Sequence, residues 1–286
     1  MRTGRAGQTT RSTNRPNGET PRRVPLRTFL RTVDGVTIHS VYDPGAVVYD
    51  ARRPSSLDLV FVIAHGFTGG VDRPHIRRVA RAFARHGAVV TFSFRGHGAS
   101  GGRSTVGDRE VYDLAAAVRW ARELGHARVV TVGFSMGGSV VLRHAALHGS
   151  DDSDDTARTD AVVSVSAPAR WYYRGTAPMR RLHWLVTRPE GRLVGRYGFG
   201  TRIHHREWDP VPLSPVEAVP RIAPTPLLIV HGERDGYFPV DHPRMLAAAA
   251  GEHGELWLEP GMGHAEHAAD DGLLGRIGDW AAARAG

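Results

Sequence analysis

The chain has no cysteine among its 286 residues. That excludes a disulfide framework, a thiolate metal site and a cysteine nucleophile. Lysine is also missing, so all 37 basic side chains are arginine, and Schiff-base chemistry or a catalytic lysine is excluded too. No apolar run is long enough to span a bilayer, and the N-terminus lacks the apolar centre of a secretory signal. With no cysteine to oxidise, these absences lead to the expectation of a cytoplasmic protein.

No P-loop pattern is present, and without lysine none can be completed, so the glycine-rich stretches are not read as nucleotide cradles. No H-E-x-x-H occurs either. His204 and His205 are adjacent, which is expected to point their side chains apart. Neither a metal nor a cofactor is expected. His204, His205, His242 and His253 read as solvated surface residues.

The net charge of +8 is unevenly distributed. Eight arginines fall in the first 31 residues against the single acid Glu19. Residues 1–25 read as a disordered basic tail, polar and without periodicity. The body is close to balanced, so the high isoelectric point does not predict nucleic-acid binding.

Thr28 to His39 reads as a hairpin around Asp34-Gly35, with a further strand over Ser40–Val48. From Leu57 onward, apolar β-branched runs alternate with helical periodicities. Strands are expected at 57–64, 88–94, 128–134, 161–166, 226–231 and 256–258. Helices are expected at 73–86, 110–124, 139–148, 243–250 and 273–283. Unbroken apolar strands separated by helices predict an α/β domain over 26–286, with a mainly parallel central sheet and helices on both faces. Residues 169–215, rich in Arg, Trp, Tyr and Pro, break the rhythm and read as a small helical lid.

Gly133-Phe134-Ser135-Met136-Gly137 fits G-x-S-x-G between a strand and a helix. A serine on that sharp turn presents its hydroxyl above the sheet edge, and the flanking glycines let neighbouring backbone pass. The hydroxyl needs a base, and the base needs an orienting acid. His264 lies just past the last strand and is the candidate base, with His267 as its competitor. Asp235, directly after the strand PLLIV, is the candidate acid, with Glu233, Asp241 and Asp160 competing. Developing negative charge on an attacked carbonyl needs two N–H donors. Met136 N–H follows the nucleophile, and Phe67 N–H lies in the earlier glycine-rich turn. His65 is read as bracing that turn.

HGFTGG, SFRGHGASGG, GFSMGG, HGERDGYFP and GMGH, in this order over roughly residues 28–283, resemble the α/β-hydrolase superfamily. The resemblance is to its monoacylglycerol-lipase-like and serine-aminopeptidase-like (S33) branch. It implies the α/β-hydrolase fold, the triad Ser135, Asp235 and His264, and oxyanion donors at Phe67 and Met136; the lid segment is poorly matched. The R-G-x-G-x-S turn at Arg95–Ser100 is preceded by Phe94, where Asp is frequent. The expected activity is hydrolysis of a small-molecule ester or acyl substrate, hydrophobic or acidic, through an acyl-enzyme. The same machinery also serves peptidases and thioesterases, and the fold also serves non-catalytic ligand binding. Leu182, Leu185, Val186 and the lid aromatics are expected chiefly to pack on the body, with transient contact to a lipid surface as a second role.

Overall fold

The computed structural model describes residues 24–45, 58–149 and 155–285. The tail expected over 1–25 therefore lies almost wholly outside the described residues, as do positions 46–48 and part of the acidic loop expected at 150–160.

The sheet begins with an antiparallel hairpin, β1 (Leu26–Arg31) and β2 (Thr37–Asp43), turning at Asp34-Gly35. No separate strand begins at Ser40; residues 40–43 continue β2 and pair with the next sheet member. Then come β3 (Leu59–Ala64), α1 (Pro74–Phe83), β4 (Ala88–Phe92), α2 (Glu110–Glu123), β5 (Arg128–Phe134) and α3 (Met136–Leu147). β6 (Ala161–Val165) precedes the inserted segment, which holds α4 (Ala177–Thr187) and α5 (Pro189–Gly198). The chain closes with α6 (Pro215–Ala218), β7 (Leu227–Gly232), α7 (Asp241–Ala250), β8 (Gly254–Glu259), α8 (Ala265–Ala268) and α9 (Asp271–Arg284).

Among the described residues eight strands form one sheet in the order β1-β2-β4-β3-β5-β6-β7-β8, parallel from β4 to β8. Side chains alternate across it. Leu59, Phe61 and Ile63 join the layer containing Val79, Phe83, Leu274 and Ile277. Val60, Val62 and Ala64 join the layer containing Leu114, Val118, Val141 and Leu142. A strand buried on both faces must be apolar at every position, which is why LVFVIA reads as a continuous run. β3 has β4 on one side and β5 on the other. The chain order reverses there, so the loops after β3 and β5 meet at the carboxyl edge.

Among the described residues no helix is long and apolar enough to cross a membrane. Two histidine expectations are corrected. His242 is fully buried rather than solvated: its Nδ1 accepts the Ala169 N–H at 2.9 Å, and its ring meets Tyr173 at 4.5 Å. The rings of His204 and His205 do not diverge but stack at 5.1 Å, because the backbone there is irregular rather than a regular strand.

Burial holds several histidines neutral. It pushes the His65 and His144 imidazoles well below their ordinary range, and those of His97 and His242 down to about 4. Between about pH 6.5 and 4 the unfolded chain binds protons that the folded chain refuses, so stability falls as pH falls, by up to roughly 1.4 kcal/mol per pH unit per histidine. Neither ring nitrogen of His144 has a hydrogen-bond partner. Urea unfolding at pH 7.5 and 5.5 is expected to show His144→Leu with a smaller acid-induced loss of stability than wild type; an equal loss would contradict this account.

Candidate active site

The site is built on close backbone approach. Where β5 turns into α3, a Cβ on Gly133 would collide with the Gly137 carbonyl, and one on Gly137 with the Ala64 carbonyl of β3. Ser135 occupies that turn with φ 52° and ψ −113°, a conformation an L-residue adopts only when its surroundings impose it. The Ser135 N–H donates to the Val165 carbonyl at 2.8 Å, and its own carbonyl receives the Ser139 N–H at 3.2 Å. The turn is thus tied to both β6 and α3.

The structure brings together the three side chains expected to cooperate. His264 Nε2 lies 2.9 Å from Ser135 Oγ, and His264 Nδ1 lies 2.7 Å from Asp235 Oδ2. These partners fix the tautomer: Nδ1–H donates to the carboxylate, leaving Nε2 to accept the hydroxyl proton. The Asp235 side chain is fully shielded from solvent. Its second oxygen accepts the N–H groups of Tyr237 at 2.8 Å and Phe238 at 3.1 Å. Burial pushes its carboxyl up, but the His264 hydrogen bond and charge and the Phe238 N–H outweigh burial and hold it below the usual carboxylate range. Tyr237 stacks on the imidazole at 4.2 Å.

The competing acids are engaged elsewhere. Asp160 binds Arg122 and the Val129 N–H, and Asp241 pairs with Arg170. Glu233 is exposed. His267 packs against His75 at 4.0 Å rather than facing Ser135. Gly232 explains why Asp235 and His264 meet: a Cβ there would collide with the Met262 and Gly263 carbonyls. The Arg234 N–H donates to Met262 O at 2.9 Å, so the two loops are laced together.

Phe67 and Met136 line the same cavity as Ser135. The Phe67 turn is held by three side chains. His65 Nε2 accepts the Phe94 N–H at 3.0 Å and its Nδ1 donates to Gly66 O at 2.6 Å, a neutral ring bridging two loops. His97 Nε2 accepts the Thr68 N–H at 3.3 Å. Glu266, only 3% exposed, accepts the Gly66 N–H at 3.1 Å from 200 residues away. Sequence reasoning missed Glu266; its position two residues past His264 was the available signal. Arg95, expected to shape the site, is buried between Asp113 at 2.8 Å and Asp34 at 2.7 Å. Phe94 packs edge-on against His65 at 4.9 Å, the use this chain makes of a position where Asp is frequent in the family it resembles.

Above Ser135 lies a cavity of about 390 Å³. Its walls come from the β3 and β5 loops and from the inserted segment, through Trp171, Tyr172, Tyr173, Met179, Leu182 and Val186. Trp208 closes one side and donates its indole N–H to Thr105 O at 2.7 Å. Among the described residues, His75, Glu266 and His267 bring potential metal donors within 4.8 Å of one another. Burial first, then the His267, Arg73 and Arg78 charges, hold the His75 imidazole below its ordinary range against the opposing Glu266 carboxylate, and Glu266 already accepts the Gly66 N–H.

A profile of the alpha/beta hydrolase fold matches residues 60–192. The chain is 27% identical to the monoacylglycerol lipase of Mycolicibacterium smegmatis, over 79% of this chain and 89% of that one. It is 32% identical to the putative esterase YheT of Escherichia coli, over 37% of this chain and 31% of that one. Among solved structures, the esterase Pf2001 of Pyrococcus furiosus superposes with a TM-score of 0.68 at 22% identity, covering 94% of this chain and 97% of that one. A Xanthomonas campestris protein described as an a/b serine hydrolase without lid superposes at 0.58 and 18% identity, covering 93% and 94%. At those identities the structural likeness establishes the fold.

Replacing Glu266 by Ala strands the buried Gly66 N–H and is expected to cost about 1–3 kcal/mol, whereas Glu266→Gln keeps an acceptor and costs less. Urea unfolding of the two variants checks this; equal losses would show that the acceptor is not what matters.

Proposed function

We propose that the chain is a member of the α/β-hydrolase superfamily, to which the matching profile and the lipase relative point, and that it hydrolyses carboxylic esters through an acyl-enzyme on Ser135. The observation that carries this reading is the unbroken relay from Ser135 Oγ to His264 at 2.9 Å and on to Asp235 at 2.7 Å. The lipase and esterase relatives point to the same class of bond.

Ser135 Oγ attacks the ester carbonyl carbon as its proton passes to His264 Nε2. The carbonyl oxygen, now negative, is received by the backbone N–H groups of Met136 and Phe67. The C–O bond to the alcohol breaks, and the proton on His264 goes to the departing oxygen. Water then gives a proton to His264 and attacks the acyl-enzyme; collapse frees the acid and returns the proton to Ser135. Asp235 remains a carboxylate throughout. It holds the imidazole in the tautomer that accepts at Nε2, and it stabilises the transient imidazolium.

The segment 169–215 acts as the lid over this chemistry, and its inner surface selects the acyl chain. Burying apolar substrate against Trp171, Met179, Leu182 and Val186 gains about 0.8 kcal/mol per methylene. A cavity of about 390 Å³ fits a medium-chain acyl group rather than a polymer. Arg170, Arg174 and Arg206 around it also favour an acidic substituent on the substrate.

A fluorophosphonate probe is expected to label wild type and not Ser135→Ala. Ester turnover is expected to fall by several orders of magnitude in Ser135→Ala and by about 10⁴-fold in Asp235→Asn. Labelling that survives Ser135→Ala would overturn the assignment, and failure of wild type to turn over any ester in a chain-length series would favour a ligand-binding role.

A further inference from the structure

We infer that His75, Glu266 and His267 form a binding site for a divalent cation of the zinc type, which staples α8 to α1 behind the Gly66 turn. None of the three lines the cavity over Ser135, so the inference does not depend on which bond the protein cleaves.

The donors come from far apart in the sequence. His75 sits in the first turn of α1, and Glu266 and His267 are consecutive residues of α8. One donor atom from each lies within 4.8 Å of the other two. His75 Nε2 stands 3.9 Å from Glu266 Oε1, and the rings of His75 and His267 are 4.0 Å apart. Ligands of a tetrahedral zinc, each about 2.1 Å from the metal, are roughly 3.4 Å from one another. The three side chains thus stand close to the spacing of a liganded site. His267 is exposed, so rotation of its side chain can close the remaining gap.

Two unmet demands coincide here. His75 Nε2 is shielded from solvent and has no hydrogen-bond partner, a state that buried polar atoms rarely keep without a reason. Glu266 is only 3% exposed, and among the described residues no arginine pairs with its carboxylate. The Gly66 N–H at 3.1 Å satisfies one of its lone pairs but brings no countercharge. A buried carboxylate without a countercharge is costly, and it keeps further lone pairs for a metal. A single cation answers both demands. The nearby arginines are engaged elsewhere. Arg78 donates to Asp271 at 2.8 Å and to the Glu266 and Ala269 carbonyls, and Arg73 donates to the Phe199 carbonyl at 2.9 Å. The donor set selects the ion: two imidazoles with one carboxylate suit zinc, nickel or copper(II), whereas calcium and magnesium take oxygen ligands. His264 immediately precedes α8, and Glu266 holds the turn that carries Phe67. A cation here would therefore fix both loops against α1 from outside the cavity.

The test is calorimetric titration of the full-length chain, without an affinity tag, with zinc chloride and separately with calcium chloride. Wild type is expected to bind one zinc ion per chain and no calcium. His267→Ala should weaken zinc binding by about tenfold or more. Because His267 is exposed, the metal-free melting temperature of this variant is expected to match wild type, which reports intact folding. Glu266→Gln keeps an acceptor for the Gly66 N–H but gives up the charge, and it is also expected to weaken zinc binding. His204→Ala combined with His205→Ala removes the other close histidine pair and should leave zinc binding as in wild type. The inference is overturned if wild type takes up no zinc, or if calcium binds as tightly. It is also overturned if either His267→Ala or Glu266→Gln binds zinc like wild type, or if the His204 and His205 double variant loses it.

Discussion

The site depends on a steric constraint at the end of β5. Three backbone segments, from β3, β5 and α3, pass so closely that only hydrogen fits at positions 133 and 137. That crowding holds Ser135 at φ 52°, with its hydroxyl clear of the sheet and α3 starting at once behind it. The strain is sustained by the core below, where β3 and β5 are buried on both faces. A looser sheet would let the turn relax and carry the hydroxyl away from His264.

The same principle recurs where the other two side chains arrive. Gly232 lets the β7 loop touch the loop after β8, so Asp235 and His264 share a hydrogen bond although neither lies in a regular strand. Buried polar groups then lock each loop. Asp235 is satisfied by two backbone N–H groups besides the imidazole, Glu266 by Gly66, and His65 by Phe94 and Gly66. A buried charge or donor without a partner is costly, so each pairing penalises alternative loop positions as well as stabilising the observed one. The geometry of the relay is thereby set by groups that take no part in it.

The inserted segment follows a different logic. The body buries large apolar residues and faces water with arginine. α5 buries glycine and shows leucine, valine and tyrosine outward. Trp171, Tyr172 and Tyr173 meanwhile turn toward the cavity. One segment therefore carries apolar side chains on both sides, some lining the cavity and others exposed on α5. The lid aromatics were expected chiefly to pack on the body. Trp171 meets Trp208 of the same segment edge-on at 5.1 Å and the body at Gly107, where an added Cβ would stand 3.4 Å from its ring; the outward stripe of α5 has the period of an ordinary amphipathic helix, so its direction is not legible in the sequence.

The sequence by itself determined what is local or periodic. Doubly buried strands must be apolar throughout, helices repeat every 3.6 residues, and a serine between glycines at a strand-to-helix turn is legible from five letters. The order of the strands in the sheet left no such trace, because pairing partners lie far apart along the chain. Only the tertiary structure decided that His242 is buried, that His204 stacks on His205, that Glu266 reaches back 200 residues to Gly66, and which way α5 faces. Periodicity gives a helix two faces without saying which meets the core. A carboxylate's role depends on what lies opposite it, and long-range packing supplies both.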